Sequence, residues 1–314
     1  CRHRYSIPLD RWTLNIYAPT IVGQSIENGQ QLQQRLSGFK GNYFAKAALD
    51  TAWWDLYARQ RGEPLWKTIG GMSPVASAGA DFGVMESVKD LIMVIGKAVE
   101  AGFGRVKLKF RPGWDIHIVS SVRRSFPDVI FHIDCNSAYT LADAKMFQAL
   151  DDFGLAMIEQ PLAHDDLIDH ATLQQRIATP ICLDESITSL DRARKAIAIG
   201  ACRWINIKPG RVGGLTNALA IHEFCRQSEV PCWIGGMLES AVGQCFNVAL
   251  ATLPGIAYPC DIFPSSRFYR QDLGDPEITL SGPGQVTAFE AAGIGCEPRP
   301  SLLAKITLEH VSVG

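Results

Sequence analysis

The sequence predicts an α/β protein built on a (β/α) barrel with a smaller companion domain, and three observations carry that prediction. From about residue 77 onwards, short apolar runs alternate with longer stretches of helical periodicity, the pattern of βα units and a parallel sheet. Eight such runs recur about every 25 residues, the length of one right-handed crossover unit. The 314 residues of the chain exceed the roughly 250 of a barrel by enough for a minor domain.

Taken in order, the chain starts at Cys1, without a methionine, in irregular polar sequence, so a further N-terminal piece is expected upstream. Between Phe44 and Gly62, the residues Phe44, Ala47, Ala48, Thr51, Ala52, Leu56 and Tyr57 recur at helical spacing, and Gly62 is a stop signal. The candidate strands lie near 77–83, 105–110, 129–134, 155–160, 180–184, 203–208, 231–235 and 256–261. A doubly wound open sheet is the other arrangement that such units allow. After Ser266 the pattern loosens, and the Gly/Pro-rich run from Gly274 to Pro300 reads as chain returning to the smaller domain. The expected division is therefore 1–75 for the companion domain, 76–273 for the barrel and 274–314 for the returning segment.

Composition narrows the class of partner. A formal net charge of −2 provides no basic field to attract nucleic acid or an anionic membrane, which leaves small molecules. No stretch approaches the roughly 20 apolar residues of a membrane span. The nine cysteines are odd in number, lack a CxxC pair and sit in apolar runs such as Pro180-Ile181-Cys182-Leu183. That usage predicts buried, reduced thiols and a cytoplasmic protein.

Charged residues that end apolar strands are the candidates for chemistry, because strand C-termini form the active face of a barrel. Lys109, Asp134, Glu159, Asp184 and Lys208 each end such a run, spaced 25, 25, 25 and 24 residues apart, and are expected at equivalent heights on five consecutive strands. Three carboxylates meeting in one mouth repel each other unless a cation neutralises them. Oxygen ligands from three strands, with room for water and substrate, suit Mg2+, with Mn2+ also accommodated. Asp134, Glu159 and Asp184 are thus the expected metal ligands.

Lys107 and Lys109 lie two apart on one strand and share the inward face, while Leu108 packs outward. Two neighbouring ammonium groups near a metal favour loss of a proton from one, which makes Lys109 the expected base. Lys208 arrives from the far side of the mouth. Arg211, three residues on, tunes Lys208, binds a substrate carboxylate or is simply a solvated loop residue. Gly213 and Gly214 precede a helical pattern and offer an anion cradle at its N-terminus. Gly235 and Gly236 let backbone approach a ligand closely, and Asn136 faces the mouth beside Asp134. Asp261 closes the eighth run, with Ser265 and Ser266 as pocket residues. His132 and the tryptophans read as core and receive no role.

These residues carry a resemblance. Val106-Lys107-Leu108-Lys109, Ile133-Asp134-Cys135-Asn136, Ile158-Glu159-Gln160-Pro161-Leu162, Cys182-Leu183-Asp184-Glu185-Ser186, Asn206-Ile207-Lys208-Pro209-Gly210-Arg211-Val212-Gly213-Gly214 and Gly235-Gly236-Met237-Leu238-Glu239 resemble the enolase superfamily in its muconate-cycloisomerase-like branch. With Pro112-Gly113-Trp114-Asp115, the set is most similar to the o-succinylbenzoate synthase / N-acylamino acid racemase group. The resemblance implies a (β/α)7β TIM-like barrel with an α+β capping domain whose N-terminal strands and closing loop precede this chain. It implies magnesium on Asp134, Glu159 and Asp184, an acid/base pair of Lys109 and Lys208, and Lys107 as an assisting neighbour. Asn136, Arg211, Gly235, Gly236, Met237, Glu239 and Ser265 are then expected around a small carboxylate substrate, with Glu185, Asn206 and Asp261 supporting the ligands. The family chemistry is proton removal beside a carboxylate through an enediolate. It implies a dehydratase of the menaquinone pathway or a racemase of N-acylamino acids, with a ligand-binding barrel lacking catalysis as the contrasting reading and homo-oligomerisation left open.

Overall fold

A computed structural model describes residues 13–114, 116–256, 258–308 and 310 of the chain. The start at Cys1, and Asp115 of the Pro112–Asp115 motif, lie outside the described residues. Seven parallel strands form one curled sheet in sequence order: β2 (Ala80–Phe82), β3 (Arg105–Lys109), β4 (Ile130–Asp134), β5 (Ile158–Glu159), β6 (Ile181–Leu183), β7 (Trp204–Ile207) and β8 (Cys232–Ile234). The strand β1 (Val75–Ser77) belongs to a separate three-stranded antiparallel sheet with Leu280–Gly282 and Gln285–Thr287.

The eighth expected strand, 256–261, is reduced to a single bridge, yet it still closes the ring. Cys260 N donates to Ser77 O at 2.8 Å, Gly79 N to Cys260 O at 2.9 Å, and Asp261 N to Ile234 O at 2.9 Å. Pro259 lacks an N–H, which stops the ladder from extending further. The arrangement is a TIM-like barrel with a capping domain, in which eight positions are filled around the axis by seven strands and one bridging segment. Outward residues such as Phe131, Ile133, Ile158 and Ile205 are buried under the surrounding helices and form the main core.

The capping helices α1 (Gly29–Leu36), α2 (Tyr43–Gln60) and α3 (Leu65–Thr68) precede the barrel. Tyr17, Leu32, Leu36 and Ala45 make a second small core, with Phe39, Leu49 and Trp53 packed against it. Gly62, at φ +66°, follows α2 and supports the stop signal read from the sequence. The facing of α2 differs from expectation. Phe44, Ala47, Ala48, Thr51 and Ala52 line an open groove of about 600 Å³ against Ala241–Ala251 and residues 294–298, and Leu56 points to solvent. Of the expected positions Ala47 is buried, and the helix also buries a polar residue, Asp50, which joins it to the barrel.

That junction corrects the reading of Gly213-Gly214. The pair does cradle an anion at the N-terminus of Leu215–Gln227, but the anion is the Asp50 carboxylate, which accepts from Thr216 N at 2.9 Å and from Gln33 Nε2 at 2.8 Å. A Cβ on Gly214 would stand 2.4 Å from it. The C-terminal segment meets the capping helices through Leu65 N to Gly293 O and Ile294 N to Asp55 Oδ1, both at 2.7 Å. All eight described cysteines are buried and free of disulfides, and among the described residues no helix is long and apolar enough to cross a membrane.

Candidate active site

Alternation along each strand decides what enters the barrel. On β3 the charged residues Arg105, Lys107 and Lys109 share the axial face, and Val106 and Leu108 pack outward. Register then sets the heights. Lys109 pairs with Asp134 and Asp134 with Glu159, but Glu159 pairs with Cys182, so Asp184 stands two residues higher. The equal heights read from the 25-residue spacing therefore hold for three residues and fail for Asp184 and for Lys208, which stands two residues higher again since Leu183 pairs with Ile205, because strands in a barrel are tilted and staggered. β3 and β7 are four positions apart in a ring of eight, which places Lys109 and Lys208 on opposite sides of the mouth.

The centre is a lattice of ion pairs. Lys107 Nζ lies 3.1 Å from Asp134 Oδ2, 3.1 Å from Glu159 Oε2 and 3.0 Å from Asp261 Oδ2. Lys109 Nζ contacts Asp134 Oδ2 at 2.6 Å and Asn136 Oδ1 at 2.9 Å. Lys208 Nζ holds Asp184 Oδ2 at 2.8 Å, while Arg211 grips the other oxygen of the same carboxylate. Arg105 holds Asp261 Oδ1 at 2.8 Å. Asn206 Nδ2 donates to Glu159 Oε1 at 2.8 Å, and Asn136 Nδ2 to Glu185 Oε1 at 3.1 Å.

These contacts set the protonation states. Burial works against the Asp134, Asp184 and Asp261 carboxylates, but the neighbouring ammonium and guanidinium groups outweigh it and hold all three well within the ionised range. Glu185 has no such partner, and burial with the nearby Asp184 and Asp134 charges raises it to about 7. Lys109 departs from expectation. Burial lowers its pKa and Lys107 adds to that, yet the Asp134 carboxylate at 2.6 Å raises it overall, so Lys109 is a firmly held ammonium.

The donor set fits a hard divalent cation in chemistry and in strand position. Asp134, Glu159 and Asp184 are all buried, and Glu185 Oε2 and Asn206 Oδ1 are buried acceptor oxygens without a donor. The expected direct convergence of three acids differs: among the described residues, no three His, Cys, Asp or Glu side chains meet as a coordinating group. Their oxygens turn instead towards Lys107, Lys109, Lys208 and Arg211, since opposite charges in a buried mouth pair at hydrogen-bond distance.

Of the other expected residues, Asn136, Glu185, Asn206, Asp261 and Arg211 all join the lattice; Arg211 is a half-buried partner of Asp184 and not a solvated loop residue. A Cβ on Gly235 would stand 2.1 Å from Asn206 Oδ1 and 2.6 Å from Lys208 Cε, and one on Gly236 would stand 2.2 Å from Asp261 O, so both glycines serve close packing. Met237 and Glu239 line the groove against α2, and Glu239 is occupied with Met237 N and Asn247 Nδ2. The Ser265 hydroxyl accepts from Ile278 N at 3.0 Å and pins the returning chain, and Ser266 is exposed.

Sequence reasoning missed several neighbours. Gln160, at φ +40°, accepts from Asp184 N and Ser186 N through Oε1 and so fixes the loop that carries Asp184. His132 bridges Glu159 Oε2 at 3.3 Å and Tyr258 Oη at 2.9 Å. Asp81, paired in register with Lys107, has an unpartnered buried oxygen and a carboxyl that burial pushes up. Inward alternation with Asp134 was the available signal for His132.

Residues 92–302 match the family described as enolase C-terminal domain-like, and residues 12–70 match the mandelate racemase / muconate lactonizing enzyme N-terminal domain. The chain is 49% identical over 277 residues to an o-succinylbenzoate synthase of Geobacillus kaustophilus, which covers 88% of this chain and 74% of the relative. It is 41% identical over 293 residues to an N-succinylamino acid racemase of Thermus thermophilus, with 93% and 79% covered. Among solved structures, an enolase-superfamily member from Enterococcus faecalis superposes with a TM-score of 0.90 at 40% identity, over 94% of this chain and 80% of its own. With both domains matched in order and two curated relatives above 40% identity, the chain belongs to the enolase superfamily, within its mandelate racemase / muconate lactonizing enzyme group.

Proposed function

We propose that the chain is an o-succinylbenzoate synthase: a magnesium-dependent, cytoplasmic dehydratase of the menaquinone pathway that removes the proton alpha to the carboxylate of a cyclohexadiene carboxylic acid. The observation that carries this reading is the pair of lysines on opposite strands, each held on a carboxylate of the arc between them. The names of the relatives support it.

Asp134, Glu159 and Asp184 would hold the cation, which when bound supplies positive charge opposite the substrate carboxylate as proton removal turns it into an enediolate. Lys109 accepts the alpha proton as the neutral amine, a form it reaches once the Asp134 carboxylate is drawn off its ammonium group and that group has given a proton to solvent. Lys107 remains protonated, since its three carboxylate partners hold its pKa well above the ordinary value against burial, and it keeps Asp134 and Glu159 in place. Lys208 faces the intermediate as a cation while Lys109 passes the proton it has taken to the ring hydroxyl, which leaves as water. Asn136 lies against Lys109, and Gly235 against Lys208.

N-succinylamino acid racemisation is the second reading, and one contact favours it. Arg211 and Lys208 share the two oxygens of Asp184, so the guanidinium weakens the hold of that carboxylate on Lys208, which suits a lysine that must both give and take a proton. The test is turnover of the cyclohexadiene carboxylate followed by ultraviolet absorbance, with Mg2+ and with chelator, beside Lys109→Ala. Metal-dependent turnover lost in the variant supports the synthase and its base. No turnover, with N-succinylamino acids still exchanging their alpha proton in deuterated water, moves the assignment to the racemase. If neither substrate class exchanges a proton, the enzyme reading fails.

A further inference from the structure

Glu159 is the middle carboxylate of the three, and its environment is unlike those of Asp134 and Asp184. Cations on either side grip the outer two, whereas Glu159 is also held from deeper in the barrel by neutral groups. Asn206 Nδ2 donates to Oε1 at 2.8 Å and His132 Nε2 meets Oε2 at 3.3 Å, with Lys107 between them. His132 lies on β4 two residues before Asp134, so its ring faces the axis one layer below the mouth. Its other nitrogen, Nδ1, is 2.9 Å from Tyr258 Oη.

The direction of these bonds follows from the chemistry of the groups. An ionised carboxylate only accepts, so Nε2 carries the hydrogen and donates to Glu159. Nδ1 of the neutral ring is then an acceptor, and the Tyr258 hydroxyl donates to it. Packing removes the remaining freedom. The imidazole lies 5.5 Å from the Trp233 ring and 5.7 Å from the Tyr258 ring, and His132, Trp233 and Glu159 are all fully buried. Tyr258 is itself wedged between Trp204 and the Arg105 guanidinium.

We infer that His132 and Tyr258 are positioning residues for Glu159: a one-way hydrogen-bonded chain from the barrel floor that fixes the carboxylate plane and turns its free lone pairs up to the mouth. The inference rests on Glu159 being a ligand of the cation. Groups that orient ligands in this way change metal affinity by about 10- to 100-fold when removed.

The test is Mn2+ alone, titrated into the metal-free protein and followed by the electron paramagnetic resonance of the free ion. It compares the wild type with His132→Leu, His132→Gln and Tyr258→Phe, each checked for folding by circular dichroism. His132→Leu is expected to weaken Mn2+ binding by about 10- to 100-fold. His132→Gln, whose amide N–H reaches the place of Nε2, should recover most of that loss, and Tyr258→Phe should show a smaller loss in the same direction. Wild-type affinity in both His132→Leu and Tyr258→Phe overturns the inference, as does a His132→Gln variant as weak as His132→Leu. If His132→Leu does not fold, Tyr258→Phe decides. A wild type that binds no Mn2+ overturns the ligand reading of Glu159 and the inference with it, so that failure is distinct from failure of the relay alone.

Discussion

Replacing Gly235 with alanine perturbs the site through one added methyl. Gly235 has no left-handed backbone to preserve, so the substitution acts through space alone. The new Cβ would lie 2.1 Å from Asn206 Oδ1, 2.7 Å from Asn206 Nδ2 and 2.6 Å from Lys208 Cε, where ordinary contact begins at 3.4 Å. Asn206 must therefore retreat by more than about 1 Å and the Lys208 stem by nearly as much. Both are engaged, Asn206 with Glu159 and Lys208 with Asp184, each at 2.8 Å, so those two bonds are strained together. Overpacking of this kind costs about 1–3 kcal/mol of stability. A displacement of about 1 Å at a reacting group costs on the order of 100-fold in rate. Alpha-proton exchange in deuterated water, followed by nuclear magnetic resonance, should thus fall by about 100-fold in a protein that still folds. Gly104→Ala is the control, because nothing lies within 4 Å of its Cβ. Exchange at the wild-type rate in Gly235→Ala would refute the placement of Asn206 and Lys208 against this strand.

Three further outcomes are expected. Lys107→Met strands Asp134, Glu159 and Asp261 around a lost partner and should destabilise the metal-free protein by about 3–5 kcal/mol in urea unfolding, with Asp261→Asn restoring part of the loss; a change below about 1 kcal/mol contradicts the lattice. Arg211→Ala should lower racemisation of N-succinylamino acids more than dehydration, since only the former needs Lys208 to give and regain a proton; equal effects in the two assays count against a tuning role. Burial lowers the pKa of His170, whose Nε2 accepts from Leu162 N at 3.2 Å. The unfolded chain, with a histidine near about 6.5, binds the proton first as pH falls, so this share of stability is present above that pH and is lost below it. His170→Gln should therefore flatten the fall of the urea midpoint between pH 7.5 and 5.5, and an unchanged slope would dismiss His170 as its source.

The barrel was legible because its period is written in the chain: one apolar run and one helix for each crossover, with a charged residue where each run ends. Lys109, Asp134, Glu159, Asp184 and Lys208 were found from that spacing alone, and alternation along Arg105–Lys109 gave the facing of Lys107. Spacing carries no stagger, however, and the step from Glu159 to the level of Asp184 comes from strand tilt, which only ring closure imposes. The last strand was similarly invisible as a bridge, since the pattern 256–261 reads as a strand until Pro259 is placed in the ladder. Partners distant in sequence were beyond any local pattern. Asp50 finds the N-terminus of Leu215–Gln227, Arg211 shares Asp184 with Lys208, and Tyr258 meets His132 across the barrel axis. The pKa of Lys109 turned on such a contact: the neighbouring Lys107 argued for a free base, and the Asp134 oxygen at 2.6 Å decided for an ammonium. The sequence by itself determined which groups enter the mouth, because side-chain direction is fixed by alternation along each strand. Only the tertiary structure decided which of them touch, because electrostatic and hydrogen-bond energies depend on ångström distances between residues that sequence order leaves unspecified.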